Sequence, residues 1–269
     1  MRAILLAGGK GTRLRPFTTS FPKPLVPVGD MPVLEILLRQ LKECGVRHVT
    51  VLTGHLAYLI EGYFTDGSSL GLSIDYVREA EPLGTAGPLR QLAGTITDDF
   101  FVLNGDLLTD LDFTALMRHH RDSGAVVTVS TYARTEKIEL GVLHIGPDGD
   151  VVGYDEKPTL KLDVSMGVYA MSAAALKLVP PGYYDMPTLI MDLLASGQRV
   201  ATRHHQGLWL DIGRGDDYDE ANRLFADNPG IFLPPRAATA TIQPLAAAPV
   251  QPLAPESVPG GRDKGVTGQ

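Results

Sequence analysis

"LLAGGKGTRLRPFT" (residues 5–18) sets three glycines, a lysine and two arginines directly behind an apolar run. That run, MRAILLA, predicts a short buried strand, and Gly8, Gly9 and Gly11 let the chain turn sharply with backbone N–H groups facing outward. Followed by Lys10, Arg13 and Arg15, the turn outlines a cradle for a polyphosphate, since arginine can hold phosphate oxygens through paired hydrogen bonds. The spacing is neither G-x-x-x-x-G-K-[ST] nor G-x-G-x-x-G, which excludes the P-loop and the dinucleotide fingerprint.

Outward from this stretch, strand-like runs (RAILLA, HVTVLT, SIDYVRE, FFVLNGD, AVVTVSTY) alternate with segments of helical period. That rhythm predicts an α/β fold with a mostly parallel sheet flanked by helices. In DMPVLEILLRQLKECG, Asp30 is expected to cap a helix, Pro32 to occupy its first turn and Gly45 to end it, with positions 33, 34, 37, 38 and 41 forming the apolar stripe. After residue 140, GVLHIGPDGDVVGYDEKP carries Pro147-Asp148-Gly149 between two short strands and predicts a hairpin, so the sheet is mixed.

The chain has 269 residues, 44% hydrophobic and 20% charged, enough for one ordinary core. Residues 1–233 are expected to form a catalytic domain and the Pro/Ala-rich residues 234–269 a disordered tail. A formal net charge of -7 argues against a nucleic-acid groove. Cys44 is the only cysteine, which excludes an intrachain disulfide and a thiolate cluster. No apolar stretch approaches the roughly 20 residues of a membrane span, and a cytoplasmic protein without a membrane partner is expected. A homo-oligomer is left open.

Ligands of open α/β sheets sit beyond the carboxyl ends of the strands, and four segments fall there. The first is the glycine loop. In the second, FPKPLVPVGD, prolines stiffen the backbone around Lys23 and make it a positioned charge. The third, FFVLNGD, ends a strand at Asp106, and the fourth, LWLDIG, supplies Asp211. Two carboxylates beside a phosphate cradle suit Mg²⁺, which completes its shell with phosphate oxygens and water. Between them, Glu156-Lys157-Pro158 offers another carboxylate and an ammonium for a second phosphate. His119-His120 and His204-His205 do not make a metal site on this reading, because neighbours in a helix or strand diverge. Trp209 reads as packing behind Asp211.

Taken in order, LAGGKGTRLRPFT, PKPLVPVGD, EPLGTAGPL, LNGD, EKP, MGVY and WLDIG resemble the sugar-1-phosphate nucleotidylyltransferases over about residues 1 to 225, nearest the mannose- and heptose-1-phosphate guanylyltransferase branch. The resemblance implies a Rossmann-like nucleotidyltransferase fold with a small β-hairpin sugar-binding part. It implies a reaction in which a sugar 1-phosphate attacks the α-phosphorus of an NTP, giving NDP-sugar and pyrophosphate. On the same ground, Arg13 and Lys23 would hold phosphates, Asp106 and Asp211 the Mg²⁺, Lys157 the sugar phosphate and Glu156 sugar hydroxyls. Leu6, Ala7, Gly8, Gly9, Gly11, Thr12, Glu79, Gly84 and Thr85 would line the nucleotide, and Asn104, Gly141, Ser165 and Gly167 the sugar. Pyrimidine-transferring relatives place a glutamine where Glu79 stands. A carboxylate cannot donate to a pyrimidine carbonyl but can accept from guanine N1–H and N2–H₂, which favours GTP over dTTP, UTP, CTP or ATP. Ser165, where many relatives carry Asn-Ala-Gly, leaves the sugar contacts open. The alternative to a transferase is a catalytically silent regulatory paralogue that binds nucleotide-sugar without turnover.

Overall fold

The computed structural model of the chain describes residues 1–79 and 81–233. The expected tail, residues 234–269, lies outside the described residues, and so does the test of the domain boundary. The chain opens with β1 (Arg2–Ala7), a glycine-rich turn and the two-residue strands β2 (Pro27–Val28) and β3 (Met31–Pro32). Then follow α1 (Val33–Glu43), β4 (His48–Thr53), α2 (Ala57–Phe64), β5 (Ser73–Arg78) and β6 (Phe100–Asn104). Next come β7 (Leu107–Thr109), α3 (Phe113–Ser123), β8 (Val127–Lys137), the hairpin β9 (Val142–Ile145) and β10 (Val151–Asp155), and β11 (Thr159–Met171). The described chain closes with α4 (Ala173–Leu176), α5 (Met186–Ala195), β12 (Val200–His205), β13 (Trp209–Asp211), α6 (Gly215–Asp227) and α7 (Pro229–Phe232).

Seven strands form one sheet in the order β12-β8-β11-β6-β1-β4-β5. β11 runs antiparallel to both β6 and β8, and the other neighbours pair in parallel, so the sheet is mixed and mostly parallel as predicted. The alternation of side chains along each strand builds a core on either face. Ala3, Leu5, Phe101 and Leu103 pack with Leu34, Leu37, Leu38 and Leu41 of α1 and Leu116 of α3. Ile4, Phe100 and Val102 pack on the other face with Leu89, Leu92, Leu189 and Leu193. A third cluster gathers Leu14, Val28, Ile36, Leu108, Ile212, Phe225 and Phe232 around the short strands.

α1 differs from expectation at its start. Asp30 does not cap it: Gly29 and Asp30 form the turn that lets β2 pair with β3, Pro32 holds the N-cap position, and no side chain caps the helix. The helix is buried on two sides, with Val33 and Ile36 facing the third cluster. Its end is as expected, with Gly45 at φ +93 and the Val46 N–H donating to the Leu41 carbonyl at 3.0 Å. The Pro147-Asp148-Gly149 hairpin is also present, closed by the Gly146 N–H on the Asp150 carbonyl at 2.9 Å.

Candidate functional site

The glycine loop leaves the carboxyl end of β1 and folds against Lys23. Gly11 takes φ +59, where a side chain would be strained, and its carbonyl accepts from the Thr18 hydroxyl at 2.6 Å. A Cβ on Gly11 would stand 3.3 Å from Lys23 Cβ, so the loop and the lysine are in close contact. Thr12 and Arg13 follow in the single turn Thr12–Leu14.

Lys23 is pinned by a turn, with Leu25 N–H on the Pro22 carbonyl at 2.9 Å and Val26 N–H on the Lys23 carbonyl at 3.0 Å. Its side chain is only 11% exposed, and Nζ pairs with Asp106 Oδ2 and, at 3.1 Å, with Asp211 Oδ1. Asp106 arrives on the turn after β6, where the Gly105 N–H donates to the Leu6 carbonyl at 3.0 Å. Asp211 arrives because β13 pairs antiparallel with β7, with Asp211 opposite Leu107 and the Ile212 N–H on the Asp106 carbonyl at 3.1 Å. Arg13 joins them: a Cβ on Gly213 would stand 3.8 Å from its guanidinium. Burial pushes the Asp106 carboxyl above the usual carboxylate range, and the Lys23 charge pulls it back.

Asp106 Oδ1 is buried and has no hydrogen-bond partner. A buried carboxylate oxygen without donor or cation is costly, so this atom marks where a positive ligand would be held. Two carboxylates, with the remaining positions open to phosphate and water, are the usual protein share of a Mg²⁺ site in phosphate chemistry. The donor set fits that ion.

The expected base-binding residues also meet. Glu79 follows β5 and is held by its own N–H on the Thr53 carbonyl at 2.9 Å. Its Oε2 accepts from the Leu83 N–H at 3.0 Å, and its Oε1 lies 2.9 Å from where a Cβ on Gly8 would be. Glu79 is therefore half-buried over the glycine loop, and that burial raises its pKa. Gly84, at φ +78, and Thr85 lie on the turn beyond it.

The expected sugar residues fall in two groups. Asn104 ends β6, two residues before Asp106, and a Cβ on Gly167 (φ +70) would come within 2.4 Å of its Nδ2. Ser165 Oγ accepts from the Gly167 N–H at 3.3 Å and shares a hydrogen bond with the Tyr169 hydroxyl at 3.1 Å. In the second group, Gly141 lies against the Tyr154 ring, and the Tyr154 hydroxyl donates to Glu156 Oε2 at 2.8 Å. Lys157, at φ +47, follows on an exposed turn. Among the described contacts, none ties Glu156 or Lys157 to the Lys23 cluster.

The histidines and Trp209 do structural work. His120 Nδ1 bonds the Thr128 hydroxyl at 2.9 Å while His119 reaches the Thr202 carbonyl at 3.0 Å. His205 pairs with Asp110 at 2.9 Å, and His204 lies 3.6 Å from Asp163. Trp209 Nε1 donates to the Met166 carbonyl at 3.0 Å and its ring lies 5.4 Å from that of Tyr132. Sequence reasoning missed Gly54, whose Cβ position lies 2.9 Å from the Gly8 carbonyl, although a glycine directly after strand HVTVLT repeats the pattern of Gly8 after RAILLA. It also missed Asp185, which accepts from the Thr85 N–H across a hundred residues and leaves no local signal.

The chain belongs to the Nucleotidyl transferase family, whose sequence profile matches residues 2–228. It is 35% identical to the UTP--glucose-1-phosphate uridylyltransferase of Synechocystis sp., over 83% of this chain and 63% of that protein. It is 34% identical to the mannose-1-phosphate guanylyltransferase of Mycobacterium tuberculosis, over 80% of this chain and 62% of that protein. The chain thus spans less than two thirds of the length of both relatives. The crystal structure of HddC from Yersinia pseudotuberculosis shares its fold, with a TM-score of 0.66 and 24% identity over 83% of this chain and 99% of that one. Among the described residues, no helix is long and apolar enough to cross a membrane.

Proposed function

We propose that the chain transfers a nucleotidyl group from an NTP to a sugar 1-phosphate of mannose or heptose type, releasing pyrophosphate. The observation that carries this reading is the meeting of Lys23, Asp106 and Asp211 beside the Gly8–Gly11 loop, with Asp106 Oδ1 left without a partner. In this reaction a phosphate oxygen of the sugar phosphate forms a bond to the α-phosphorus as the bond to the departing pyrophosphate breaks. No side-chain nucleophile takes part, so what the chain must supply is alignment and positive charge. The glycine-loop N–H groups, Arg13 and Lys23 would hold the NTP phosphates, and Lys157 the sugar phosphate. Asp106 and Asp211 would hold Mg²⁺, which when bound neutralises charge on the α-phosphate and the leaving pyrophosphate. Asn104, Gly141, Glu156, Ser165 and Gly167 would line the sugar. A cytoplasmic location is part of the proposal.

GTP is the NTP of this proposal, on the strength of Glu79 over Gly8, where a carboxylate meets N–H donors of a base. The second reading is UTP: Oε2 of Glu79 already serves the Leu83 N–H, which leaves Oε1 for a single base N–H, and uracil presents one, at N3. Pyrophosphate release measured for five NTPs against a panel of sugar 1-phosphates, with the product weighed by mass spectrometry, decides both points. The expected result is fastest release with GTP and a mannose- or heptose-type phosphate. Release with no pair would overturn the transferase reading, and a preference for UTP or dTTP would overturn the guanine reading.

A further inference from the structure

Asp185 occupies the N-cap position of α5, yet its carboxylate does not cap that helix. Oδ1 instead accepts from the Thr85 N–H at 2.9 Å and the Thr85 hydroxyl at 3.2 Å, while Oδ2 accepts from the Tyr183 hydroxyl at 2.6 Å. The capping is exchanged, because the Thr85 hydroxyl oxygen accepts from the Met186 N–H at 2.8 Å. Around this swap the two segments are seamed along their backbones. Ala86 and Gly87 N–H donate to the Tyr184 carbonyl at 2.9 and 2.8 Å, and the Tyr184 N–H donates to the Leu83 carbonyl at 2.9 Å. Both glycines are needed for the fit: a Cβ on Gly84 would lie 2.7 Å from Asp185 Oδ1, and one on Gly87 2.6 Å from the Gly182 carbonyl.

The near side of the same turn is tied by Glu79 to the Leu83 N–H, so the backbone of Gly84 and Thr85 is clamped from both directions. We infer that Asp185 is a positioning residue for the nucleotide: it fixes the Gly84–Thr85 backbone beside Glu79 and thereby sets NTP affinity and base choice. This inference rests on the proposed function of the site. Its physical ground is that hydrogen bonds to an ionised acceptor are among the stronger ones, and that a recognition loop ordered in advance spares the ligand the entropy of ordering it. Without the carboxylate, that ordering falls on nucleotide binding and shows in KM, whereas the reacting groups at Lys23, Asp106 and Asp211 stay in place and hold kcat.

Asp185→Ala is expected to raise the KM for the preferred NTP about tenfold, with kcat within about threefold and the KM for sugar 1-phosphate unchanged. Asp185→Asn keeps an oxygen for Thr85 and an amide that can donate to the Tyr183 oxygen, so it should restore most of the NTP affinity. In the ligand-free protein, hydrogen exchange at the amides of residues 85–87 should speed up in Asp185→Ala and return in Asp185→Asn. An unchanged exchange pattern overturns the inference, as does an unchanged NTP KM in an active enzyme. So does a rise in both KM values that merely tracks a fall in Tm. Exchange needs no turnover, so a wild-type chain that transfers no nucleotide would overturn the proposed function while the exchange result still judges the anchor.

Discussion

Asp106 and Glu79 are both carboxylates with raised pKa values, and their partners separate their roles. Asp106 has one oxygen on Lys23 and one with no partner, so Asp106→Asn should lower turnover by about 10²–10³-fold by removing charge where charge moves. The fold should survive, because Lys23 keeps Asp211. Initial rates beside a thermal melt check this, and normal turnover at limiting Mg²⁺ would refute the metal assignment. For Glu79, burial places the folded pKa above the unfolded one, so ionisation weakens the fold: the cost is absent below the unfolded pKa and is complete once pH has risen through the folded pKa. Glu79→Gln keeps an acceptor for the Leu83 N–H without the charge. Its Tm should exceed that of the wild type at neutral pH, with the gap closing as pH falls through the carboxylate range. The same variant should lose about 1–3 kcal/mol of preference for GTP over UTP if Glu79 reads guanine, measured as a ratio of kcat/KM values. Lys23, Asp106 and Asp211 were legible because prolines, Asn-Gly and a strand end are local marks of positioned charge. Asp185 was not, because its contact is set by tertiary packing alone.

The elements divide in the same way. β1, the stripe of α1 from Leu34 to Leu41 and the β9–β10 hairpin carry their evidence in a few adjacent residues and are where the sequence puts them. Val33, expected in that stripe, turns with Ile36 to the third cluster. The start of α1 was misread because Asp30 suits a hairpin turn as well as a helix cap, and only the pairing of β2 with β3 chooses between them. β8 runs five residues past the expected end to Lys137, through exposed RTEK, since cross-strand bonds to β11 rather than burial hold that part. β11 takes a left-handed backbone at Gly167, against the Asn104 side chain. Gly167→Ala should cost about 1–2 kcal/mol for a left-handed conformation alone and also push on Asn104, two residues from Asp106. The expected outcome is a lower Tm together with a raised KM for sugar 1-phosphate, and an unchanged KM would remove Asn104 from the sugar site.

At the scale of the molecule, the third cluster closes only at the end of the described chain. Phe232 is 1% exposed, stacks on Phe225 at 6.1 Å, and its carbonyl takes the Gln40 amide at 2.9 Å. A chain ending at residue 233 should therefore keep its Tm within about 2 °C and its turnover, whereas one ending at residue 227 should lose on the order of 10 °C. Calorimetry of the two truncations tests whether residues 234–269 add to the stability of residues 1–233. The route of the chain also imposes a timetable. Lys23 and Asp211 are separated by 188 residues, and β13 is the strand that delivers the second carboxylate. At about 5–20 residues per second, a ribosome needs roughly 10 to 40 s to travel from one to the other. For the later part of that interval, once Asp106 has followed Lys23, the emerging polypeptide holds a glycine loop, a lysine and one aspartate, so the cluster proposed to take the metal can close only after residue 211 has been made.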